Sequence, residues 1–257
     1  MTLFLNPDFL AAAVVAVTFL GISKGGFTGL GVIAVPLLSL VVSPPQAAAM
    51  LVPILLAQDV VSVWVYHRDF SAWNLRVLIP GSIFGAALAT VTAASVPDAA
   101  VKFAVGTIAV LFVASRAAAP WLERHLPKPG LISGLICGTA SGFASTLANA
   151  GSPPYQIHTL PQRLPKMTFV GTTSLYFAAT NLLKVPSYLA LGQMTWANLS
   201  VGLALVPLAV ATNFLGVFLV RRVSMEAFYR IAYVLILAIG LELVRSASIA
   251  LWAHPSP

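Results

Sequence analysis

Few side chains in this sequence could do chemistry, and most of those that could are set inside apolar runs. In "GISKGGFTGLGVIAVP" (21–36), Lys24 stands beside Gly25, Gly26, Phe27 and Thr28. Glycine permits positive φ and close backbone approach, so a helix can stop there and turn its N–H groups toward a ligand. A short helix starting at Gly29–Gly31 would aim its positive end back at the same place, adding to the lysine charge. That combination suits an anion. As the last residue of a helix, the same lysine could also simply snorkel to the membrane face.

A second stretch, "GTASGFASTLANAGSPP" (138–154), brings Ser141, Ser145, Thr146 and Asn149 together around Gly142, Gly151 and Ser152. Taken singly, small hydroxyl residues serve helix packing. Taken as a set beside glycines and a Pro-Pro pair, they suit the polar lining of a cavity. Two longer runs each add a carboxamide and an ionisable group, Gln58 and Asp59 in one, and Asn181 and Lys184 in the other. Ionisable groups well inside a spanning segment are costly and mark functional positions. Asp59 lies seven residues from the end of its run, about 10 Å at 1.5 Å per residue. It can balance Lys24 as an ion pair or titrate as a proton-coupling residue. Lys184, just before Pro186, can line the site or snorkel outward. Phe27 and Phe143, each beside a glycine, read either as packing or as apolar gates.

The elements that hold these residues must sit in a bilayer. Of the 257 residues 59% are hydrophobic and 8% charged, with a mean hydropathy of +0.93, outside the range of soluble domains. The net charge of +7 is spread over short connections with no basic run, which argues against nucleic acid. A single cysteine, Cys137, rules out an internal disulfide, and four dispersed histidines give no metal spacing, so neither metal nor cofactor is expected. The N-terminus, with Asp8 and no preceding basic residue, lacks the start of a signal peptide. Trp64, Trp73, Trp121, Trp196 and Trp252 fall at segment ends, as interfacial anchors do.

Ten apolar segments can be read, at about 9–23, 30–42, 46–65, 75–95, 99–117, 131–148, 152–162, 167–190, 197–220 and 227–250. Six are long enough to span. The first, second and seventh are short and the sixth is rich in Gly, Ser and Thr, so these four are expected to be broken or re-entrant. Arg68 and Arg76, then Arg116, Arg124 and Lys128, then Arg163 and Lys166, then Arg221 and Arg222 mark alternate connections as cytoplasmic, which puts both termini outside.

Self-similarity divides the single membrane domain into repeats at about 9–117 and 131–250, joined by a cytoplasmic linker at 118–130. "KGGFTG" (24–29) echoes "ASGFAS" (140–145), and Trp73-Asn74-Leu75 echoes Trp196 before Asn198-Leu199. The predicted fold is all-α and polytopic, two inverted repeats each with a short broken pair followed by three long helices. That pattern belongs to secondary transporters, with the site where the interrupted helices meet.

The glycine stretches, the segment "GTTSLYFAATNLLKVPSYLALG" (171–192) and the helix "GTIAVLFVAS" (106–115) resemble the sulfite exporter TauE/SafE family of membrane permeases over about residues 10–250. The most specific part is Gly171 to Gly192, with its Thr-Thr-Ser opening and Asn181-Leu-Leu-Lys184 core. The resemblance implies movement of sulfite, sulfonates or related organosulfur anions across the bacterial inner membrane. Substrate contacts are expected from Lys24, Gly25, Gly26, Thr28, Gln58, Ser141, Gly142, Asn149, Asn181 and Lys184. The expected partners are a small anion and the lipid bilayer, with a homodimer compatible. No GxxxxGK[ST] sequence is present, so a gradient is expected to supply the energy. The rival readings are a passive anion channel and, with only a Ser–Lys24 pair to support it, an intramembrane enzyme.

Overall fold

A computed structural model of the chain describes residues 6–24, 30–118, 129–220 and 225–253. Apolar residues with high helix propensity fill it, and a chain in hydrocarbon must satisfy its backbone internally. Among the described residues all regular structure is helical.

Among the described residues ten helices follow in order: α1 (Pro7–Lys24), α2 (Ala34–Leu38, entered by a 3-10 turn at Leu30–Ile33), α3 (Pro44–Tyr66), α4 (Ala72–Ser95), α5 (Asp98–Ala117), α6 (Leu131–Ala148), α7 (Ser152–Thr159, continued by a 3-10 turn at Leu160–Gln162), α8 (Lys166–Ala190), α9 (Trp196–Val220) and α10 (Met225–Ala253). Local signals set several boundaries. Prolines occupy the first turns of α3 and α7, where their missing N–H costs nothing. The Ser71 side chain accepts from the Asn74 amide to start α4.

Seven of these helices are long and apolar enough to cross a membrane: α1, α3, α4, α5, α6, α9 and α10. This corrects the expectation for two of the four short segments. α1 and α6 are each 18 residues, about 27 Å at 1.5 Å per residue, because α1 extends past its apolar run to take in Pro7, Asp8 and Lys24. α8 is not among the seven although it has 25 residues. Its threonines, Asn181 and Lys184 dilute its hydropathy.

The second chain break also lies elsewhere than the sequence suggested. The Ser141-Gly142-Phe143 stretch is continuous helix, and α6 ends at Asn149, which takes a left-handed conformation (φ 53°, ψ 24°). Asparagine is one of the few residues that tolerate this region. The Asn149 amide bonds to the Ser145 carbonyl at 3.0 Å and the Ala150 amide to Ala144 at 3.2 Å, closing the helix. The second break therefore lies at Asn149 and not at Ser141-Gly142.

Helix pairing exchanges the two parts of the chain. α4 packs along α6 and α9 along α1; α3 pairs with α8 and α5 with α10. The α4–α6 seam is closest. A Cβ on Gly138 or Gly142 would overlap the carbonyl of Leu78 or Ser82, and Gly81 and Gly85 meet the carbonyls of Leu135 and Thr139 in return. Glycines four apart on both helices let the backbones touch, which is how helices associate where lipid gives no hydrophobic drive. A common apolar cluster including Val17, Ile33, Ile54, Val105, Leu147 and Ile236 ties the helices together.

Candidate functional site

The polar residues singled out in four separate segments converge into one hydrogen-bonded chain. The Lys24 ammonium, at the end of α1, donates to Asp59 Oδ1 at 2.6 Å. Asn181 Nδ2 donates to the other oxygen, Asp59 Oδ2, also at 2.6 Å. The Lys184 ammonium donates to Asn181 Oδ1 at 2.8 Å and to Asn149 Oδ1 at the end of α6. Asn181 and Lys184 are three apart on α8 and so share a face. Lys184 is 1% exposed and Asp59 4%.

The direction of this chain follows from its ends. Lysine only donates and ionised aspartate only accepts, so the Asn181 amide must turn its oxygen to Lys184 and its nitrogen to Asp59. With both lysines protonated, two ammonium groups against one carboxylate leave the cluster one positive charge in excess. A cation would meet two ammoniums, and the sole carboxylate already has both oxygens engaged. An anion would meet spare donors: Lys184 uses two of its three N–H bonds and Lys24 one.

Gln58, next to Asp59 on α3, is 4% exposed, and its Nε2 and Oε1 have no hydrogen-bond partner among the described residues; the same holds for Asn149 Nδ2. A buried amide without partners costs about 1–3 kcal/mol, so these groups call for a further partner, for which a ligand and ordered water both serve.

Other expected site residues sit differently. Ser141 Oγ donates to the Gly151 carbonyl at 2.6 Å, bracing the bend after α6. Gly142 is spent on the α4 contact, and Phe143 packs against the central apolar cluster. Gly25, Gly26, Phe27 and Thr28 lie outside the described residues, as do Trp121 and most of the 118–130 linker. Trp64, Trp73, Trp196 and Trp252 are exposed, and Trp73 also stacks on His158 with ring centroids 5.6 Å apart.

Sequence reasoning missed two amide pairs. Asn74 and Gln162 exchange hydrogen bonds of 2.9 and 2.8 Å, and Gln46 donates to Asn198 at 3.2 Å. Each joins an asparagine in the first turn of a helix, α4 or α9, to a glutamine from another segment. The Trp-Asn echo at 73–75 and 196–199 was the available signal. A shallow apolar crevice lined by residues including Pro45, Val101, Leu147, Tyr188 and Leu191 includes none of the five network residues.

A family model described as "Sulfite exporter TauE/SafE" matches residues 13–243. The chain belongs to this family. The match takes in all five network residues, Lys24, Asp59, Asn149, Asn181 and Lys184, and it makes the protein a multi-pass membrane transporter. No curated protein and no solved structure matches the chain.

Proposed function

We propose that this TauE/SafE member carries a small oxyanion, sulfite or a related sulfonate, across the bacterial inner membrane by alternating access. The binding site is centred on Lys24, Asp59, Asn181, Lys184 and Asn149. The observation that carries the reading is the buried hydrogen-bonded chain with two ammonium groups and one carboxylate, held at the ends of two interrupted helices. Asp59 occupies donors that an arriving anion takes over. The unpartnered amides of Gln58 and Asn149 then complete its oxygen shell, and Gln58 Oε1 is free to accept from a protonated oxygen.

The single membrane domain is built, in this reading, as two inverted halves, 9–117 and 131–250, with both termini periplasmic. Two features support it. Helix pairings come in exchangeable sets, α4 on α6 with α9 on α1, and α3 on α9 with α8 on α4. Asp59 is the sixteenth residue of α3 and Asn181 the sixteenth of α8, and these two hydrogen-bond to each other. That is where an axis relating the halves would pass, and where inverted-repeat transporters place their substrate.

The test is sulfite uptake into proteoliposomes. Lys24→Ala should abolish flux while the protein still inserts and unfolds cooperatively; normal flux would reduce Lys24 to a snorkelling anchor. Trans-stimulation by sulfite on the far side is expected of a carrier, and its absence with non-saturable flux would establish a channel. If a pH gradient drives flux in the wild type, Asp59→Asn separates the two roles of this carboxylate, because loss of the gradient dependence alone would make Asp59 the coupling residue.

A further inference from the structure

Away from the network, α10 carries an ion pair on its outer face. Arg245 Nε donates to Glu242 Oε2 and Nη2 to Oε1, both at 2.8 Å. The side chains are 65% and 45% exposed. The apolar stretch of α10 runs from Tyr233 to Trp252, 20 residues, or about 30 Å, the thickness of a bilayer core. Glu242 is tenth in it, about 15 Å from either end. A second measure agrees. Gly106 of α5 packs against Gly240, Leu243 and Val244, and it lies eight residues beyond the start of α5 at Asp98, about 12 Å deep.

Charged side chains at that depth face a bundle interior or a water-filled cavity, because hydrocarbon cannot solvate them. Arginines near a membrane face escape by snorkelling toward it. Arg245 does the reverse, reaching one turn deeper to grip Glu242 with two parallel bonds. On the same side of the helix Leu241, Ile249 and Trp252 are exposed, spaced four, four and three residues around Arg245, as in a helix-packing seam.

We propose that this face of α10 is the interface with a second copy of the chain, related by a two-fold axis along the membrane normal. The argument for that occupant is charge complementarity. A Glu–Arg pair is its own complement under a two-fold, so each Arg245 meets the other copy's Glu242, and four charges close into one ring shielded from lipid. The rival state is this face left against lipid with its internal pair closed.

The test uses full-length protein at low density in liposomes, with stoichiometry counted by single-molecule photobleaching. Wild type should be dimeric. Glu242→Arg alone and Arg245→Glu alone should each lose the dimer, because like charges then face each other, and mixing the two variants should restore it as a heterodimer. The double swap Glu242→Arg/Arg245→Glu keeps both the internal pair and the self-complementarity, and should dimerise as wild type does. If the single reversals do not insert, the neutral Glu242→Gln/Arg245→Gln variant replaces them and should be monomeric. With Cys137→Ser as background, Ile249→Cys should cross-link between copies on oxidation. A monomeric wild type, single reversals that dimerise unchanged, or a mixture that stays monomeric would overturn the proposal, the last pointing to lipid. None of these residues belongs to the transport network, so sulfite flux is a separate readout.

Discussion

Asp59→Asn is the most informative single change, because the hydrogen-bonded chain has no slack to absorb it. The carboxylate takes one donor on each oxygen, Lys24 on Oδ1 and Asn181 on Oδ2. An asparagine has one acceptor and one donor end. If its oxygen faces Lys24, its NH₂ meets the NH₂ of Asn181. If Asn181 then flips, its NH₂ meets Lys184, which can only donate. Every arrangement leaves one buried donor opposing another, a cost of about 1–3 kcal/mol. Breaking a buried pair by removing one partner costs about 3–5 kcal/mol. Lys24 keeps 22% side-chain exposure and can turn part of its charge to water, so the lower end of that range applies. We therefore expect a total loss of about 4–6 kcal/mol, or a fall in Tm on the order of 10 °C.

Thermal unfolding of the purified protein measures this directly, and a double variant sharpens it. Lys24→Met/Asp59→Asn removes the stranded cation and should be more stable than Asp59→Asn alone, a positive coupling of the kind that contacting residues show. A Tm for Asp59→Asn within 2 °C of wild type, or a double variant destabilised by the sum of the singles, would refute the directional chain.

Three further outcomes follow from the geometry. Gln58→Met should raise stability by about 1–3 kcal/mol, since a buried amide without partners is exchanged for an apolar side chain of similar volume; sulfite affinity, measured by ligand-dependent thermal shift, should fall at the same time. Asn149→Gly keeps the left-handed backbone available and removes only the Lys184 acceptor, so it should weaken transport and cost about 1–3 kcal/mol for the buried donor left unpaired, whereas Asn149→Ala adds about 1–2 kcal/mol of backbone strain and should lower Tm more. Gly142→Val would drive a side chain into the Ser82 carbonyl on α4 and should destabilise by about 3 kcal/mol or more, seen as lost expression of folded protein in detergent.

Much of the candidate site was legible in the sequence because polar atoms in hydrocarbon are expensive wherever the chain folds. Lys24, Asp59, Asn149, Asn181 and Lys184 could be named from their placement inside apolar runs. The location of the second break could not. Gly142 looked like a break because glycine both ends helices and lets them touch, and the sequence does not say which. Only α4 lying against α6 shows that Gly138 and Gly142 are contact glycines, which leaves the left-handed turn to Asn149. Trp73 is exposed, as an interfacial anchor should be, but its added stacking on His158 depends on α7 folding back beside α4.

By itself, then, the sequence determined the solvent, the class and the cast. Membrane burial penalises each charge at its own position along the chain, so composition and spacing identify a polytopic helical protein and the few residues it keeps at a cost. Tertiary structure decided the connections. The sequence put Asp59 within an apolar run but not beside its partners, and only the fold divides its oxygens between Lys24 and Asn181; Lys184 was as good a snorkelling residue as a ligand until it was found buried between two asparagines. Hydrogen bonds have direction and a fixed number of partners, and those constraints act between helices more than a hundred residues apart in the chain, where no one-dimensional pattern records them.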